Sequence, residues 1–386
     1  MKCKICNHKL FFIKKIPNSF RGSRLYICNN CSLLQTVYKK NYNQNKDPHS
    51  TKFKGERLIT ISNGTRWGNV RHGKELRLNA HIKFIDNIFL KENIKSVFDD
   101  GANRGSFAKY CKKKKIYYAG SEPDLSCFLN YKNLKFNIHN LKTENFKTKK
   151  KFDLIYSAHT LEHVDNLKKH LKKLNSLLKD DGLFFLEIPN TNQVFYTNKI
   201  YEEYFIDKHL NHFNPQTITS ILENFSFFTE KIISNQFNII LILRKKRISL
   251  LKKKNIFYKK VIHEYYVNKN KNSKIIKKIS KKINFIKKNR KVIFFGAGRI
   301  LNTFFDNGLN TKNVIFLIDN FLGGKIKENH KLKIYKSEYL LKKKIYKDYL
   351  IFIFARDAEN DIFKYLKQKK FTSVIKISNF YENKII

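Results

Sequence analysis

The sequence lacks any uninterrupted apolar run that approaches the ~18 residues needed for a bilayer-spanning helix. The segment "NIILIL", for example, has only the length of a strand. The first residues, "MKCKICNHK", also lack the apolar region of a signal peptide. We therefore expect a cytoplasmic protein without a transmembrane segment.

Arginine is scarce for so basic a chain. Only 12 of the 79 basic residues are Arg, against 31 acidic residues, and the net charge is +48. Arg is the preferred reader of bases and phosphates, whereas the lysines here accompany Asn, Ile, Phe and Tyr along the whole chain. This distribution favours a bias of composition over a nucleic-acid partner, although such a surface would still attract acidic substrates such as nucleotide sugars.

The chain has 386 residues, with 34 Phe and 20 Tyr, which is too long for one core and predicts two or three domains. Apolar runs of strand length alternate with helical patterns from residue 96 to about 245 and again from 291, which predicts an α/β fold. The expected domains are a zinc-binding module with a connector (1–72), a central Rossmann-like domain (73–245), a basic helical linker (246–290) and a second Rossmann-like domain (291–386). The linker has apolar residues at roughly helical spacing and is expected to be a solvated helix, with a membrane-surface or nucleic-acid arm as the alternative.

Four of the six cysteines lie in the first 40 residues as CxxC–x21–CxxC. Cys3 and Cys6 form one pair, and Cys28 and Cys31 the other. Two such turns supply four thiolates for a tetrahedral Zn²⁺ site with no open position, so the ion would be structural. We expect Cys111 and Cys127 to be ordinary packing residues.

The segment "SVFDDGANRGSFAKY" is typical of a strand that turns through glycines into a helix. Asp99 ends the strand, and Gly101 and Gly105 flank the turn. Asn103 stands where such loops commonly carry a third glycine, but Asn is the residue that best tolerates a left-handed backbone. The loop alone is also compatible with a generic strand-to-helix turn.

The following segments narrow the ligand of this loop. "IYYAGSEPD" places Glu122 at the end of the next strand, where a carboxylate can accept both ribose hydroxyls of a nucleoside. "KFDLIYSAHTLEHVDN" places Ser157, Ala158 and His159 at the end of a further strand, along the cofactor. The loop has the spacing Asp99-x-Gly101-x-Asn103-x-Gly105, with the acid before the turn, and not the GxGxxG pattern that cradles a pyrophosphate. S-adenosylmethionine has no phosphate and needs backbone near its methionine part and a carboxylate for its ribose, so it is the expected cofactor.

These ordered motifs resemble the class I S-adenosylmethionine-dependent methyltransferases over about residues 75–245. The order of zinc module, methyltransferase domain and second nucleotide fold is similar to the C-methyltransferases of nucleotide-linked keto sugars. Their glycine loop has an "E-x-G-S-N-D-G" form, with Asn at the position of Asn103. Their C-terminal domain is similar to "FFGAGRILNTFF…VIFLIDNFLGGKI".

The resemblance implies that His163, in "TLEHV", and His209, in "DKHLNHFNPQTI", are catalytic. In that family a proton is removed beside a ketone and the enolate attacks the sulfonium methyl, which needs a base and a group that stabilises the enolate oxygen. This chain departs from the family by Lys208, Ile206 and His212, where the family has Glu, Tyr and Tyr. O-methylation of a glycan hydroxyl therefore stays open beside C-methylation.

The C-terminal segment "FFGAGRIL" is a weak dinucleotide fingerprint. Gly296 and Gly298 are present, Leu301 replaces the third glycine, and Asp319 ends the next strand about twenty residues later. The family resemblance implies a domain that helps to hold the nucleotide sugar, with a degenerate structural copy as the alternative.

Three functions compete at this point. The first is a methyltransferase acting on a nucleotide sugar or glycan precursor for polysaccharide synthesis. The second is a zinc-containing RNA-binding methyltransferase, which the high positive charge favours. Against it, the predicted strand "FDLIYSA" continues into "HTLEH" and not into the "NPPY"-like loop of enzymes that methylate base nitrogens. The third is an inactive sugar-nucleotide-binding scaffold. The oligomeric state is not indicated by the sequence.

Overall fold

The computed structural model describes residues 1–16, 21–43, 74–124, 136–191, 205, 209–235, 238–246, 258–320, 322–324, 326–342, 344–355 and 358–381. No helix within these ranges is long and apolar enough to cross a membrane. Most of the predicted connector at 41–72 lies outside them, as do Cys127, Ile206 and Lys208.

The N-terminal residues form a small antiparallel sheet. Its strands are β1 (Leu10–Lys15), β2 (Arg24–Cys28) and β3 (Leu34–Val37). A fourth strand, β9 (Asn211–His212), comes from the central part of the chain and pairs with β3. The N-terminal sheet is therefore continued by the segment that directly follows His209, which the sequence did not predict.

The central sheet has seven strands in the order β10-β11-β8-β7-β4-β5-β6. They are β4 (Ser96–Asp100), β5 (Tyr117–Ser121), β6 (Ile138–His139), β7 (Phe152–Ala158), β8 (Leu178–Pro189), β10 (Phe227–Ser234) and β11 (Asn238–Lys245). The first five in chain order are parallel, and β10 and β11 form the predicted antiparallel hairpin at the edge. The chain passes from β4 through β5 to β6 on one side and then crosses to β7 on the other side of β4. Ligands of open α/β sheets bind at such a switch point.

Helices cover both faces of this sheet. Adjacent strand residues point to opposite faces, so Val97 packs with α1 (Lys74–Glu92) and α2 (Ser106–Lys113). Phe98 belongs to the other cluster, with α3 (Leu167–Leu177) and α4 (Pro215–Glu223). Short 3₁₀ turns span Thr143–Asn145 and Leu161–His163.

The C-terminal sheet has six strands in the order β14-β15-β13-β12-β16-β17, and only β14 is antiparallel to its neighbour. They are β12 (Val292–Phe295), β13 (Val314–Ile318), β14 (Glu328–Asn329), β15 (Leu332–Tyr335), β16 (Leu350–Ile353) and β17 (Val374–Lys376). The helical segments are α5 (Tyr258–Ile286), α6 (Arg299–Asp306), α7 (Glu359–Gln368), α8 (Ser378–Tyr381) and the 3₁₀ turns Ser337–Leu341 and Lys344–Asp348. The predicted domain boundaries and the Rossmann-type interpretation of this unit remain predictions.

Helix α5 corrects the expectation of a solvated linker. Val261, near its start, belongs to the apolar cluster of the N-terminal sheet, and the Tyr266 hydroxyl donates to the carbonyl oxygen of Ile13 at 3.1 Å. Ile279 and Ile283, near its end, are buried in the C-terminal core. The apolar face of the helix therefore packs on two units, while its lysines remain mostly exposed.

Candidate active site

The glycine loop lies at the carboxyl end of β4, in the middle of the central sheet. Gly101, Asn103 and Gly105 all have left-handed backbone, with φ of 74°, 51° and 72°. The prediction that Asn103 adopts this conformation is confirmed. A Cβ on Gly101 would lie 2.4 Å from Oγ1 of Thr160, so glycine is required where the loop passes the turn that follows β7.

Glu122, at the end of β5, is fastened to the loop. The backbone N–H of Asn103 donates to its Oε2 at 2.8 Å, and the N–H of Asp124 donates to its Oε1 at 2.9 Å. A carboxylate has about four lone-pair sites, so each oxygen can accept a further donor. Glu122 thus fixes the loop, and its ribose role remains a prediction.

The two consecutive acids of "FDDG" point to opposite faces of the sheet. The Tyr118 hydroxyl donates to Asp99 Oδ2 at 2.8 Å, and the Ser157 hydroxyl donates to Asp100 Oδ2 at 2.8 Å. The side chains of Asp99, Asp100 and Ser157 are all fully buried. The predicted cofactor roles of Asp99 and Ser157 remain predictions.

A buried ion pair below the loop was missed by sequence reasoning. His170 Nε2 lies 3.0 Å from Asp100 Oδ2, and its Nδ1 lies 3.5 Å from Glu144 Oε2. Burial lowers the pKa of His170, but the two carboxylates outweigh it and raise that pKa to about 9. Burial likewise opposes the charge of Asp100, yet His170 holds the pKa of Asp100 below its ordinary value.

His159 connects two buried carboxylates at the end of β7. Its Nδ1 lies 3.2 Å from Glu162 Oε1, and its Nε2 lies 3.5 Å from Glu187 Oε2. Its backbone is left-handed, with φ of 53°, and its N–H donates to the carbonyl oxygen of Glu187 at 2.8 Å. The preceding residue, Ala158, is fully buried. His159 is thus held between β7 and β8, and its cofactor role remains a prediction.

Glu187 is the centre of a second set of contacts that sequence reasoning missed. His81 Nε2, from α1, lies 3.3 Å from Glu187 Oε2, and Asn238 Nδ2 donates to Oε1 at 2.9 Å. His81 Nδ1 also lies 3.0 Å from the hydroxyl of Tyr156. Burial raises the pKa of Glu187, but His159 and His81 outweigh this and hold the pKa well below its usual range. Its place in "FLEIP" was the available signal.

The two predicted catalytic histidines meet beside Glu162. The rings of His163 and His209 are 4.8 Å apart between centroids in an edge-to-face arrangement. His163 Nε2 lies 3.7 Å from Glu162 Oε1. The N–H of Leu210 donates to the carbonyl oxygen of Glu162 at 2.7 Å, and Asn211 Nδ2 donates to that of Val164 at 2.7 Å. These bonds tie the segment of His209 onto the 3₁₀ turn that carries His163.

His212 does not share the exposure of this pair. Its Nε2 lies 2.7 Å from Oγ1 of Thr36, in β3 of the N-terminal sheet. Burial lowers the pKa of His212 to about 3, so its ring is neutral at physiological pH. His212 therefore lies buried in the contact between the N-terminal sheet and the segment that carries His209.

The four N-terminal cysteines lie together. Sγ atoms of Cys3 and Cys31 are 3.6 Å apart and those of Cys6 and Cys28 3.4 Å apart, with no disulfide between them. In each CxxC motif the backbone N–H of the residue two positions after the first cysteine donates to that cysteine's sulfur: Ile5 to Cys3 at 3.5 Å and Asn30 to Cys28 at 3.4 Å. Ligands with metal–sulfur bonds of about 2.3 Å have this spacing around a tetrahedral ion. Cys111, as expected, is buried in the core.

Residues 72–230 match the family described as methyltransferase domain. Over these residues the chain is similar to methyltransferases. A curated relative, (S)-coclaurine N-methyltransferase from Papaver somniferum, is 30% identical over 120 residues, which cover 28% of this chain and 34% of the relative. The chain thus spans about a third of the length of the curated relative that it matches.

Solved structures similar to the methyltransferase domain come from distant organisms. An S-adenosylmethionine-dependent methyltransferase from Archaeoglobus fulgidus is 21% identical, with a TM-score of 0.37, and the match covers 45% of this chain and 96% of that one. The magnesium protoporphyrin IX methyltransferase of Synechocystis is 13% identical, with a TM-score of 0.37, covering 46% and 85%.

Proposed function

We propose that this chain transfers the methyl group of S-adenosylmethionine to a nucleotide-linked sugar or a related glycan precursor. The observation that carries the proposal is the contact of His163 with His209 beside the buried Glu162, next to the glycine loop. Thr160 links the two places, because its hydroxyl donates to the carbonyl oxygen of Asp100 at 2.9 Å and packs over Gly101. The proposed acceptor site thus adjoins the proposed cofactor site.

The residues at the loop fit the cofactor. The left-handed glycine loop would offer its backbone to the methionine part, and the carboxylate of Glu122 beside it would accept the ribose hydroxyls. S-adenosylmethionine supplies an electrophilic methyl group on a sulfonium. The task left to the protein is to bring an acceptor atom to that methyl and to remove a proton from it.

Imidazole suits the removal of that proton. His209 would accept it, either from a carbon beside a ketone or from a hydroxyl, while His163 would donate a hydrogen bond to the acceptor's oxygen. The buried carboxylate of Glu162, which lies within 4.8 Å of a ring nitrogen of His209, would stabilise the imidazolium that His209 becomes. The resemblance to sugar C-methyltransferases favours carbon as the acceptor atom.

We also propose that the four cysteines hold a structural Zn²⁺. The four sulfur atoms would fill a tetrahedral site and leave no position for substrate. The C-terminal unit would help to hold the nucleotide part of the substrate. Its Gly298 faces open space, since a Cβ there would meet nothing within 4 Å.

The test is incubation with isotope-labelled S-adenosylmethionine and a panel of nucleotide sugars, 4-keto sugars included, followed by mass spectrometry. We expect one methylated sugar nucleotide, formed about 10²-fold or more slowly by His209→Gln. His263→Gln, on the exposed side of α5, is the matched control and should keep the full rate. Methylation of RNA without methylation of any sugar would contradict the proposal.

A further inference from the structure

The side chains of Glu162, His163 and His209 place three ligand atoms within 4.8 Å of one another. We propose that they bind one divalent transition-metal ion, at a site separate from the four cysteines. One carboxylate and two imidazoles form a donor set that such ions take in proteins while keeping coordination positions open. The ion would be of the Zn²⁺, Mn²⁺ or Co²⁺ type.

The state of Glu162 is the second observation. Its side chain is only 2% exposed, and among the described residues neither carboxylate oxygen accepts a hydrogen bond of normal geometry. Imidazole nitrogens of His159 and His163 lie 3.2 and 3.7 Å from Oε1. A buried carboxylate that faces imidazoles but accepts no hydrogen bond of normal geometry is poorly compensated, and a bound cation would compensate its charge.

An outer set of contacts orients the carboxylate. His159 holds Glu162 through Nδ1 and faces Glu187 through Nε2, and Asn238 and His81 fix Glu187 in turn. Partners of this kind, behind the ligands, set ligand orientation and basicity in metal sites. His81 in turn contacts the hydroxyl of the buried Tyr156. The carboxylate of Glu162 is therefore held from the side of the protein core.

The opposite side of the site is open. The His163 side chain is 42% exposed, and His209 is partly exposed. Metal–nitrogen bonds of about 2.1 Å place neighbouring ligand atoms about 3–3.5 Å apart. The three ligand atoms, within 4.8 Å of one another, would have to move closer together to bind one ion, and the remaining coordination positions would face the solvent.

Metal binding here does not depend on the proposed function, but its role does. In a methyltransferase the ion would hold an oxygen of the acceptor and lower the pKa of an acceptor hydroxyl, or of a C–H beside a bound ketone. With the ion bound, the two histidines would act through it, and without the ion they would act as the base and the donor proposed above. This arrangement predicts substrates in which the atom that receives the methyl group is an oxygen or lies next to a carbon that carries one.

The experiment is a Co²⁺ titration of the full chain, free of any histidine tag and already loaded with zinc at the cysteines, followed by visible absorption. We expect one Co²⁺ per chain with weak d–d bands and no thiolate charge-transfer band, which would reveal cobalt at the cysteines. Glu162→Gln and His209→Ala should each weaken this binding by about 10–100-fold. His263→Ala should leave it unchanged.

Equal Co²⁺ affinity in the wild type, Glu162→Gln and His209→Ala, or no Co²⁺ bound beyond the zinc, would overturn the proposal. Calorimetric binding of S-adenosylmethionine to each variant shows that the variant is folded. If Glu162→Gln does not fold, the Co²⁺ affinity of His209→Ala, a change at a partly exposed position, is the deciding measurement. Cobalt binding without methylation of any sugar would contradict the proposed function and leave the metal site standing.

Discussion

Two loops in this chain follow the first strand of a parallel sheet and lead into a helix, one in the central unit and one in the C-terminal unit. In each, an acid from the next strand accepts a backbone N–H of the loop. Glu122 accepts from Asn103 at 2.8 Å, and Asp319 accepts from Ala297 at 2.9 Å. Each acid also accepts a backbone N–H from just beyond its own position, both at 2.9 Å. The two loops share one way of being held.

What surrounds the two loops differs. Beside the central loop, the ends of β7 and β8 lead into a cluster of buried carboxylates and histidines. Beside the C-terminal loop, a Cβ on Gly296 would lie 2.7 Å from the backbone nitrogen of Ala355. Within the described ranges, groups of three metal-ligating side chains occur only in the N-terminal and central units. The geometry of the loop is therefore common to both units. The groups that could take part in a reaction come from the residues that follow the neighbouring strands of the central unit.

The largest difference should appear on adding a methyl group to each loop. Gly101→Ala puts a Cβ 2.4 Å from Thr160 Oγ1 at φ of 74°, and should destabilise the sheet around β4 by about 3–4 kcal/mol. Gly298→Ala adds its Cβ to open space at φ of −84°, and should change the stability around β12 by less than about 0.5 kcal/mol. Hydrogen exchange with mass spectrometry measures both, and similar losses would remove the contrast.

The second difference is the charged pair beneath the central loop. Because the pKa of His170 is raised from 6.5 to about 9, its stabilising contribution is complete below about pH 6.5 and is lost as the pH rises to 9. The region around β4 should lose about 2–3 kcal/mol over this interval. Hydrogen exchange, corrected for its intrinsic pH dependence, measures the loss.

His170→Gln is the control for that loss. The variant should be less stable than the wild type at pH 6.5 and should show no decline between pH 6.5 and 9, because the titrating imidazole beside Asp100 and Glu144 is gone. A decline of the same size in both proteins would show that His170 is not charged in the folded chain.

The smallest effect concerns the strand that the N-terminal sheet shares with the site. Thr36→Val removes the hydroxyl that lies 2.7 Å from His212 Nε2, and should lower the protection of β9 by about 1 kcal/mol. Thr372→Val, at an exposed position of the C-terminal unit, should leave β9 unchanged. Equal protection of β9 in both variants would mean that the Thr36 contact does not stabilise the segment of His209.

Much of the central unit could be predicted because local rules decide it. The alternation of strands and helices, the edge hairpin and the left-handed Asn103 each depend on a few neighbouring residues. The opposite directions of Asp99 and Asp100 also follow from the two-residue period of a strand. Asp99 is the predicted cofactor residue of the two, although the same rule places the side chain of Asp100 on the other face of the sheet.

The rest depends on contacts between distant parts of the chain. His81 and Glu187 meet because α1 packs against the face of the sheet near the end of β8, and no local pattern records that contact. The pairing of β3 with β9 likewise joins the cysteine-rich module to the segment of His209. The apolar face of α5 was visible as a periodicity, but not the two units that cover it.

The central claim is that the loop held by Glu122, and not the one held by Asp319, binds S-adenosylmethionine. Calorimetric titration of the wild type, Glu122→Gln and Asp319→Asn tests it most directly. We predict one site per chain, weakened at least about tenfold by Glu122→Gln and unchanged by Asp319→Asn. Unchanged affinity in Glu122→Gln, or a loss confined to Asp319→Asn, would contradict the account.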